Sequence, residues 1–273
     1  MSRLDARFAS LKEQGKRAFI TFITAGDPEP KMTVSLLHHL VAEGADVLEL
    51  GMPFSDPMAD GPVVQKANER ALAHHMGLSQ VLQLVVQFRQ QDKSTPIVLM
   101  GYLNPIECMG FEKFAAQANA AGVDGLIIVD MPPEEADEVI QVFEEHDLAP
   151  VFLLAPTSSD ARIQRACELA KGFVYYVSLR GVTGAQVSDY QEIADQVAKI
   201  RKYTSLPVGV GFGIRDGATA TAMGRHADAL VVGSALVNCV EKYATDPHTM
   251  KQAMSQVMRD IRAAIDGLPA LEK

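Results

Sequence analysis

The sequence predicts a (β/α)8 barrel, the TIM-barrel fold, formed as a single domain, and three observations carry that expectation. Eight short apolar runs recur along the 273 residues, and amphipathic stretches long enough to be helices separate them. No Gly-x-Gly-x-x-Gly follows the first run, as it would in a dinucleotide-binding doubly wound sheet. The runs are Phe19–Thr24, Val47–Gly51, Pro96–Gly101, Gly125–Val129, Val151–Leu154, Phe173–Val177, Pro207–Gly211 and Ala229–Gly233. Each is short, rich in β-branched residues and bounded by Gly, Pro or Asp, which suits a strand buried on both faces in a parallel sheet. They recur roughly every 30 residues, the length of one strand and its crossover helix. An open doubly wound sheet is the alternative; eight strands favour closure, and barrels of about 250 residues fold around one core.

The remaining elements follow in order. Arg3–Gln14 reads as a helix preceding the first strand, placed to cover the bottom of the barrel. The interval between the second and third strands is the longest, an enlarged region holding a loop, Met52–Gly61, and helical stretches near Pro62–His74 and Leu78–Gln91. Pro62 suits a first helical position, where its missing N–H costs nothing. Pro247–Ile265 reads as a final amphipathic helix on the outside.

Composition excludes several classes of function. With 48% hydrophobic and 22% charged residues the chain can bury a large core, so disorder is excluded. A net charge of −9 without a Lys/Arg cluster argues against a nucleic-acid partner. The start, Met1 to Phe8, carries charges where a signal peptide is apolar, and uncharged runs such as Leu148 to Ser159 fall short of the ~20 residues of a membrane span. The expectation is a soluble, cytoplasmic protein. Cys108, Cys167 and Cys239 form neither a disulfide framework nor a Cys-x-x-Cys pair and are expected to be reduced, buried thiols.

Alternation along the second strand singles out an acid. Leu48 and Leu50 share one face and belong against helices, so Glu49 points into the barrel near the strand's C-terminal end, where active sites of this fold lie. An unpaired carboxylate there costs several kcal/mol, which leaves a buried ion pair or a catalytic group as its reason. Asp56 and Asp60 on the following loop are both candidates for a second carboxylate. Asp60 also reads as a helix cap before Pro62, and Asp56 before Pro57 as a turn residue. Spacing does not choose between them.

Glycines at the ends of the last two strands, Gly209-Val-Gly211-Phe-Gly213 and Val232-Gly233-Ser234, suggest a phosphate cradle, since glycine lets backbone N–H groups approach an anion. Leu179–Ala185, with its hinge glycines, reads as a lid or as a plain flexible loop. No expected strand carries a Lys, which disfavours an imine mechanism. His146 and His226 precede strands, and the pairs His38-His39 and His74-His75 read as helical, so no metal centre is expected. Tyr102 and Tyr175 follow the faces of Met100 and Phe173 and are candidates to line the pocket.

The segment Glu49-Leu-Gly-Met-Pro-Phe-Ser-Asp-Pro-Met-Ala-Asp-Gly-Pro62 resembles the signature of the tryptophan synthase alpha chain family. The resemblance extends to Ala25-Gly-Asp-Pro28, Met100-Gly-Tyr-Leu-Asn-Pro105, Gly181-Val-Thr-Gly184, Gly211-Phe-Gly-Ile214 and Gly233-Ser234, and so covers nearly the whole chain. It implies a lyase of tryptophan biosynthesis that cleaves indole-3-glycerol phosphate to indole and glyceraldehyde 3-phosphate without a cofactor in this chain. By that resemblance Glu49 is the general acid/base, and Asp60, in preference to Asp56, stabilises charge at the indole nitrogen. Phe22, Tyr102, Tyr175, Thr183 and Phe212 correspond to substrate-lining positions, and Gly184, Gly213, Gly233 and Ser234 to the phosphate cradle. It further implies an α2β2 complex in which indole passes to a beta chain carrying pyridoxal phosphate, with Pro53, Asp56, Asn104 and the turn at Pro105 facing that partner. Three departures stand out: Met52 replaces the more usual Ile or Val, Leu179-Arg180 shifts the arginine by one position, and Arg215–Asp228 diverges. Another sugar-phosphate barrel, such as an isomerase using the same Glu, and a non-catalytic ligand-binding barrel are the competing readings.

Overall fold

The computed structural model describes residues 2–177, 187–211 and 213–271. Among the described residues nine strands form one parallel sheet: β1 (Ala18–Thr24), β2 (Val47–Gly51), β3 (Ile97–Gly101), β4 (Gly125–Ile128), β5 (Ala149–Pro150), β6 (Leu153–Leu154), β7 (Val174–Val177), β8 (Val208–Gly211) and β9 (Ala229–Val232). Their order is β5-β4-β3-β2-β1-β9-β8-β7-β6. Both edge strands come from the same six-residue stretch of chain, 149–154, so the sheet returns on itself and the barrel closes. Within that stretch the Val151 N–H donates to Leu126 at 2.9 Å, and the Phe152 carbonyl accepts from Tyr175 at 3.0 Å. The expected fifth strand, Val151–Leu154, is therefore corrected: it starts two residues earlier and is interrupted. Pro150 has no N–H to give to the β7 side, so regular pairing with that neighbour begins only at Leu153. The other seven strands match their expected positions to within one residue at each end.

Side-chain alternation divides the apolar residues into an inner and an outer layer. Ala18, Ile20, Val47, Val98, Ile127, Val151, Phe173, Ala229 and Val231 pack inside the barrel together with Leu4, Phe8 and Leu11. The last three belong to α1 (Arg3–Glu13), which seals the bottom as expected and is started by a capping box between Ser2 and Asp5. Leu48, Leu50, Ile23 and Leu99 face outward and pack under the helices. Around the first half of the ring run α2 (Pro30–Ala42), α3 (Pro62–Leu72), α4 (Leu78–Arg89) and α5 (Leu103–Met109). The helix Pro247–Asp266 buries Met250, Met254, Met258, Ile261 and Ile265, a stripe at helical spacing. His74 and His75 are not helical as expected; they lie in the turn between α3 and α4, where the chain reverses and His75 takes a φ of 57°. Of the cysteines, Cys167 is buried but Cys108 is exposed, because the short α5 presents that position to solvent. Among the described residues no helix is long and apolar enough to cross a membrane.

An aspartate recurs at the bottom rim. Asp46, Asp124 and Asp228 each immediately precede a strand and accept an N–H from the first or second residue of the strand before it in sequence: Phe19 at 2.9 Å, Ile97 at 2.8 Å and Val208 at 2.8 Å. Each also meets an arginine, Arg262, Arg89 and Arg201 respectively. The device pins neighbouring strands in register at the end away from the mouth, using donors that no ladder partner satisfies. Asp124 is the most heavily engaged, holding Arg3 and Arg89 at 2.8 Å each. Asp124→Ala, which strands Arg89 in a buried setting, is expected to cost about 3–5 kcal/mol in chemical denaturation. Activity per folded molecule should be unchanged, because the rim lies opposite the strand C-termini.

Candidate active site at the C-terminal mouth

Glu49 is the third residue of β2, paired in register with Phe22 of β1 and Val98 of β3. Its side chain is 1% exposed, and Oε2 has no hydrogen-bond partner among the described residues. Among the described residues no cation pairs with it, so the ion-pair explanation left open by the sequence finds no support there. Burial, and after it the charge of Asp60, pushes its pKa up to about 8. Tyr175 stands across the mouth: burial and the neighbouring Glu49 hold its hydroxyl far above the ordinary range, so it stays neutral. The Tyr175 ring lies directly over Gly211, where a Cβ would collide with its hydroxyl. Phe22 packs in the same way on Gly51, where a Cβ would lie 2.8 Å from its ring. Two glycines at strand ends thus make the room in which two aromatic rings stand beside Glu49.

Asp60 reaches the pocket from the loop after β2. The cap reading is excluded, because Gly61 occupies the N-cap position of α3 and no side chain caps it. The Asp60 carboxylate instead accepts from Asn68 Nδ2 at 3.3 Å and from the Tyr102 hydroxyl. Burial pushes its pKa up to about 6, against the downward pull of those two donors. Partly buried under Tyr102 and α3, it remains mostly ionised at neutrality. The Tyr102 oxygen also accepts the Ala59 N–H at 3.0 Å, and its ring stacks on Phe54 with centroids 5.0 Å apart. Asp56 points outward, exposed and bonded to Ser55. The structure therefore gathers Glu49, Asp60, Phe22, Tyr102 and Tyr175 and leaves Asp56 outside.

Gly233 and Ser234 begin the helix Ser234–Lys242, in which Leu236 and Val237 already donate to the Gly233 carbonyl. The N–H groups ahead of them sit at a helix N-terminus beside Phe22, where an anion is favoured. Gly213 follows β8 with a φ of 79°, a conformation that favours glycine. Thr183, Gly184, Phe212 and the loop bearing Arg180 lie outside the described residues. Of the four positions expected at a partner surface, Asp56 and Asn104 are exposed and Pro105 is half-buried. Pro53 is buried under its own loop, so it supports that loop from beneath and does not present itself outward. The turn expected at Asn104-Pro105 is instead the first turn of α5, where the missing N–H of Pro105 is harmless and Asp130 accepts the Leu103 N–H at 2.8 Å. Met58, at the loop tip, is 87% exposed.

Besides Asn68, two further contacts at the site escaped the sequence reading. Gln65 of α3 donates to the Asp60 carbonyl at 2.8 Å, and Asp27 pairs with Arg70 through two bonds of 2.7 and 2.9 Å, tying the loop after β1 to α3. A cavity of about 1180 Å³ lined by Phe8, Lys12, Arg17 and Leu271 opens at the opposite end of the barrel, away from the two acids. Among the described residues no cluster of His, Cys, Asp and Glu is arranged to hold a metal ion.

Comparison with known proteins decides the family. The model of the tryptophan synthase alpha chain matches residues 8–266. The chain belongs to the tryptophan synthase alpha chain family. A member from Thioalkalivibrio sulfidiphilus is 56% identical over 266 residues, 97% of this chain and 100% of the relative, and one from Laribacter hongkongensis is 57% identical over the same shares. The crystal structure of tryptophan synthase subunit alpha from Legionella pneumophila superposes with a TM-score of 0.91 at 46% identity, covering 98% of this chain and 100% of that one. A chain of the tryptophan synthase complex from Pyrococcus furiosus gives 0.82 at 34% identity, covering 91% and 99%.

Burial of Glu49 has a thermodynamic signature. Its folded-state pKa is about 8 against an ordinary 4.5, so the native protein keeps a proton that the unfolded chain releases across that window. Stability should therefore fall as pH rises through it. Glu49→Gln, with no proton to lose, should match the parent near pH 4.5 and exceed it increasingly toward pH 8, by up to roughly 4 kcal/mol. Denaturation curves at several pH values read this directly; parallel curves for the two proteins would contradict it.

Proposed function

We propose that this chain cleaves indole-3-glycerol phosphate to indole and glyceraldehyde 3-phosphate, as the alpha subunit of a tryptophan synthase. The observation that carries the reading is the pair of acids at the mouth, whose pKa values of about 8 and about 6 fall on opposite sides of neutrality. At pH 7 Glu49 then holds a proton while Asp60 carries a charge, a division of labour that suits acid-base chemistry.

The reaction needs that division. The bond to be broken joins the indole ring carbon to the hydroxyl-bearing carbon of the glycerol chain, and indole leaves only once its ring carbon is protonated. Glu49 delivers that proton. Protonation places positive charge on the ring nitrogen, and the Asp60 carboxylate, held by Tyr102 and Asn68, stabilises it. The Glu49 carboxylate then takes the proton of the glycerol hydroxyl, the carbon–carbon bond breaks as the carbonyl forms, and its electron pair restores the indole ring. Glu49 ends protonated, as it began. Phe22, Tyr102 and Tyr175 bound the indole, and the N–H groups at Gly233 and Ser234, with Gly213, receive the phosphate. Thr183, Gly184 and Phe212 complete these two sets by resemblance.

The partner is a tryptophan synthase beta chain, in an α2β2 assembly that takes up the indole, and the exposed mouth loop with Asp56 and Met58, together with Asn104 and Pro105, is the surface offered to it. The chain works as one catalytic domain in the cytoplasm.

Indole release from indole-3-glycerol phosphate by the purified chain, with and without a beta chain, tests the reading. Turnover should be lost below about pH 6 as Asp60 takes up a proton, and above about pH 8 as Glu49 loses one. Glu49→Gln should lower kcat on the order of 10²–10⁴-fold with KM little changed. Failure of the parent chain to release indole in either setting would overturn the proposal, as would a Glu49→Gln rate close to the parent's.

A further inference from the structure

Helix α3 carries a polar residue where its pattern calls for an apolar one. Val64, Ala67, Asn68 and Ala71 lie on the side turned toward the barrel, and Asn68 is only 4% exposed. A buried amide is costly unless both its ends are bonded. Both are, and to functionally separate partners: Oδ1 accepts the Phe54 N–H at 3.3 Å, while Nδ2 donates to Asp60 Oδ2 at 3.3 Å. The amide cannot be turned round, because a backbone N–H needs an acceptor and a carboxylate needs a donor. One side chain therefore spans the two ends of the mouth loop, with Gln65 one turn earlier holding the Asp60 carbonyl at 2.8 Å and reaching the Pro57 carbonyl at 3.4 Å.

We propose that Asn68 is a positioning residue for the reaction, acting through Asp60: by gripping Phe54 N–H and the Asp60 carboxylate at once, it holds that carboxylate in the orientation in which it meets the indole nitrogen. The inference rests on the role given to Asp60 above. Asn68 is placed to aim the acid from one side and Tyr102 from the other, while Gln65 fixes only the backbone beneath. The donation from Asn68 also favours the ionised carboxylate, in opposition to the burial that pushes Asp60 upward. Among the described residues the groups facing Asp60 are few. Glu49 looks across from β2 and Tyr102 from the end of β3, Asp56 on the same loop turns to solvent, and Lys66 and Arg70 of α3 are directed to Glu241 and Asp27. Removing the Asn68 donor therefore leaves Tyr102 as the one remaining donor to that carboxylate among the described residues.

Two variants separate aiming the acid from merely anchoring the loop. Asn68→Ala should lower kcat about tenfold or more, change KM for indole-3-glycerol phosphate less than about threefold, and move the acid limb of the kcat profile upward by about one pH unit. Asn68→Asp, matched in shape, still accepts from Phe54 but sets a second carboxylate against Asp60, so its limb should move further and its kcat fall further. Where Asn68→Ala does not fold, Asn68→Asp alone is decisive. Parent-like kcat and acid limb in Asn68→Asp would mean that the amide only anchors the loop, and would overturn the inference. Asp60→Asn, assayed in parallel, distinguishes the two levels: if it is impaired while the Asn68 variants keep the parent limb, only the inference fails, and if it turns over like the parent, the role of Asp60 and the inference fall together.

Discussion

The structure depends on a carboxylate kept out of water with no cation paired to it among the described residues. Glu49 is held within β2 with an oxygen that is unbonded among the described residues and a second acid nearby, an arrangement that by itself opposes folding. It persists because the acid can keep its proton, and because the close-packed barrel leaves it 1% exposed. The cost is what makes the group useful. An exposed Glu would be ionised at neutrality and could not hand a proton to a ring carbon.

The scaffold meets this constraint by separating stability from chemistry along the barrel axis. At the bottom, three aspartates pin adjacent strands and α1 fills the opening with Leu4, Phe8 and Leu11. At the mouth the residues are chosen for space and donors: Gly51 and Gly211 yield to aromatic rings, and α3 supplies amides to a loop that carries an acid. Helix α3 also touches the phosphate end, since Ala67 packs with Phe22 and Val237, so one helix spans both halves of the site. Asp27 and Arg70 brace that helix against the loop after β1.

Much of this was legible in the residues. Alternation in Val47–Gly51 was enough to send Glu49 inward, because strand geometry leaves a side chain two choices of face and the leucines had taken one. Local spacing failed where long-range contacts decide. Asp60 and Asp56 are indistinguishable by position, and they separate because Tyr102, more than forty residues on, and Asn68 reach one of them. Resemblance to a family chose Asp60 where physics on the sequence alone could not. The broken fifth strand had a visible signal in Pro150, and Asn68 had one as an amide on an apolar helix face; each was a departure from pattern that only a partner elsewhere in the fold explains. The histidine turn after α3 and the helical start at Asn104-Pro105 differ from expectation because short helices begin and end on contacts, such as that of Asp130 with Leu103, that periodicity does not register.

The central claim is that Glu49 holds its proton at neutral pH. Labelling the side-chain carboxyl carbon of glutamate with carbon-13, assigning the Glu49 resonance by its loss in Glu49→Gln, and titrating it by NMR measures this in the folded chain. A midpoint near 8 is predicted. A midpoint in the ordinary glutamate range would mean that the acid is solvated or paired in solution, and the division of roles between the two carboxylates would not stand.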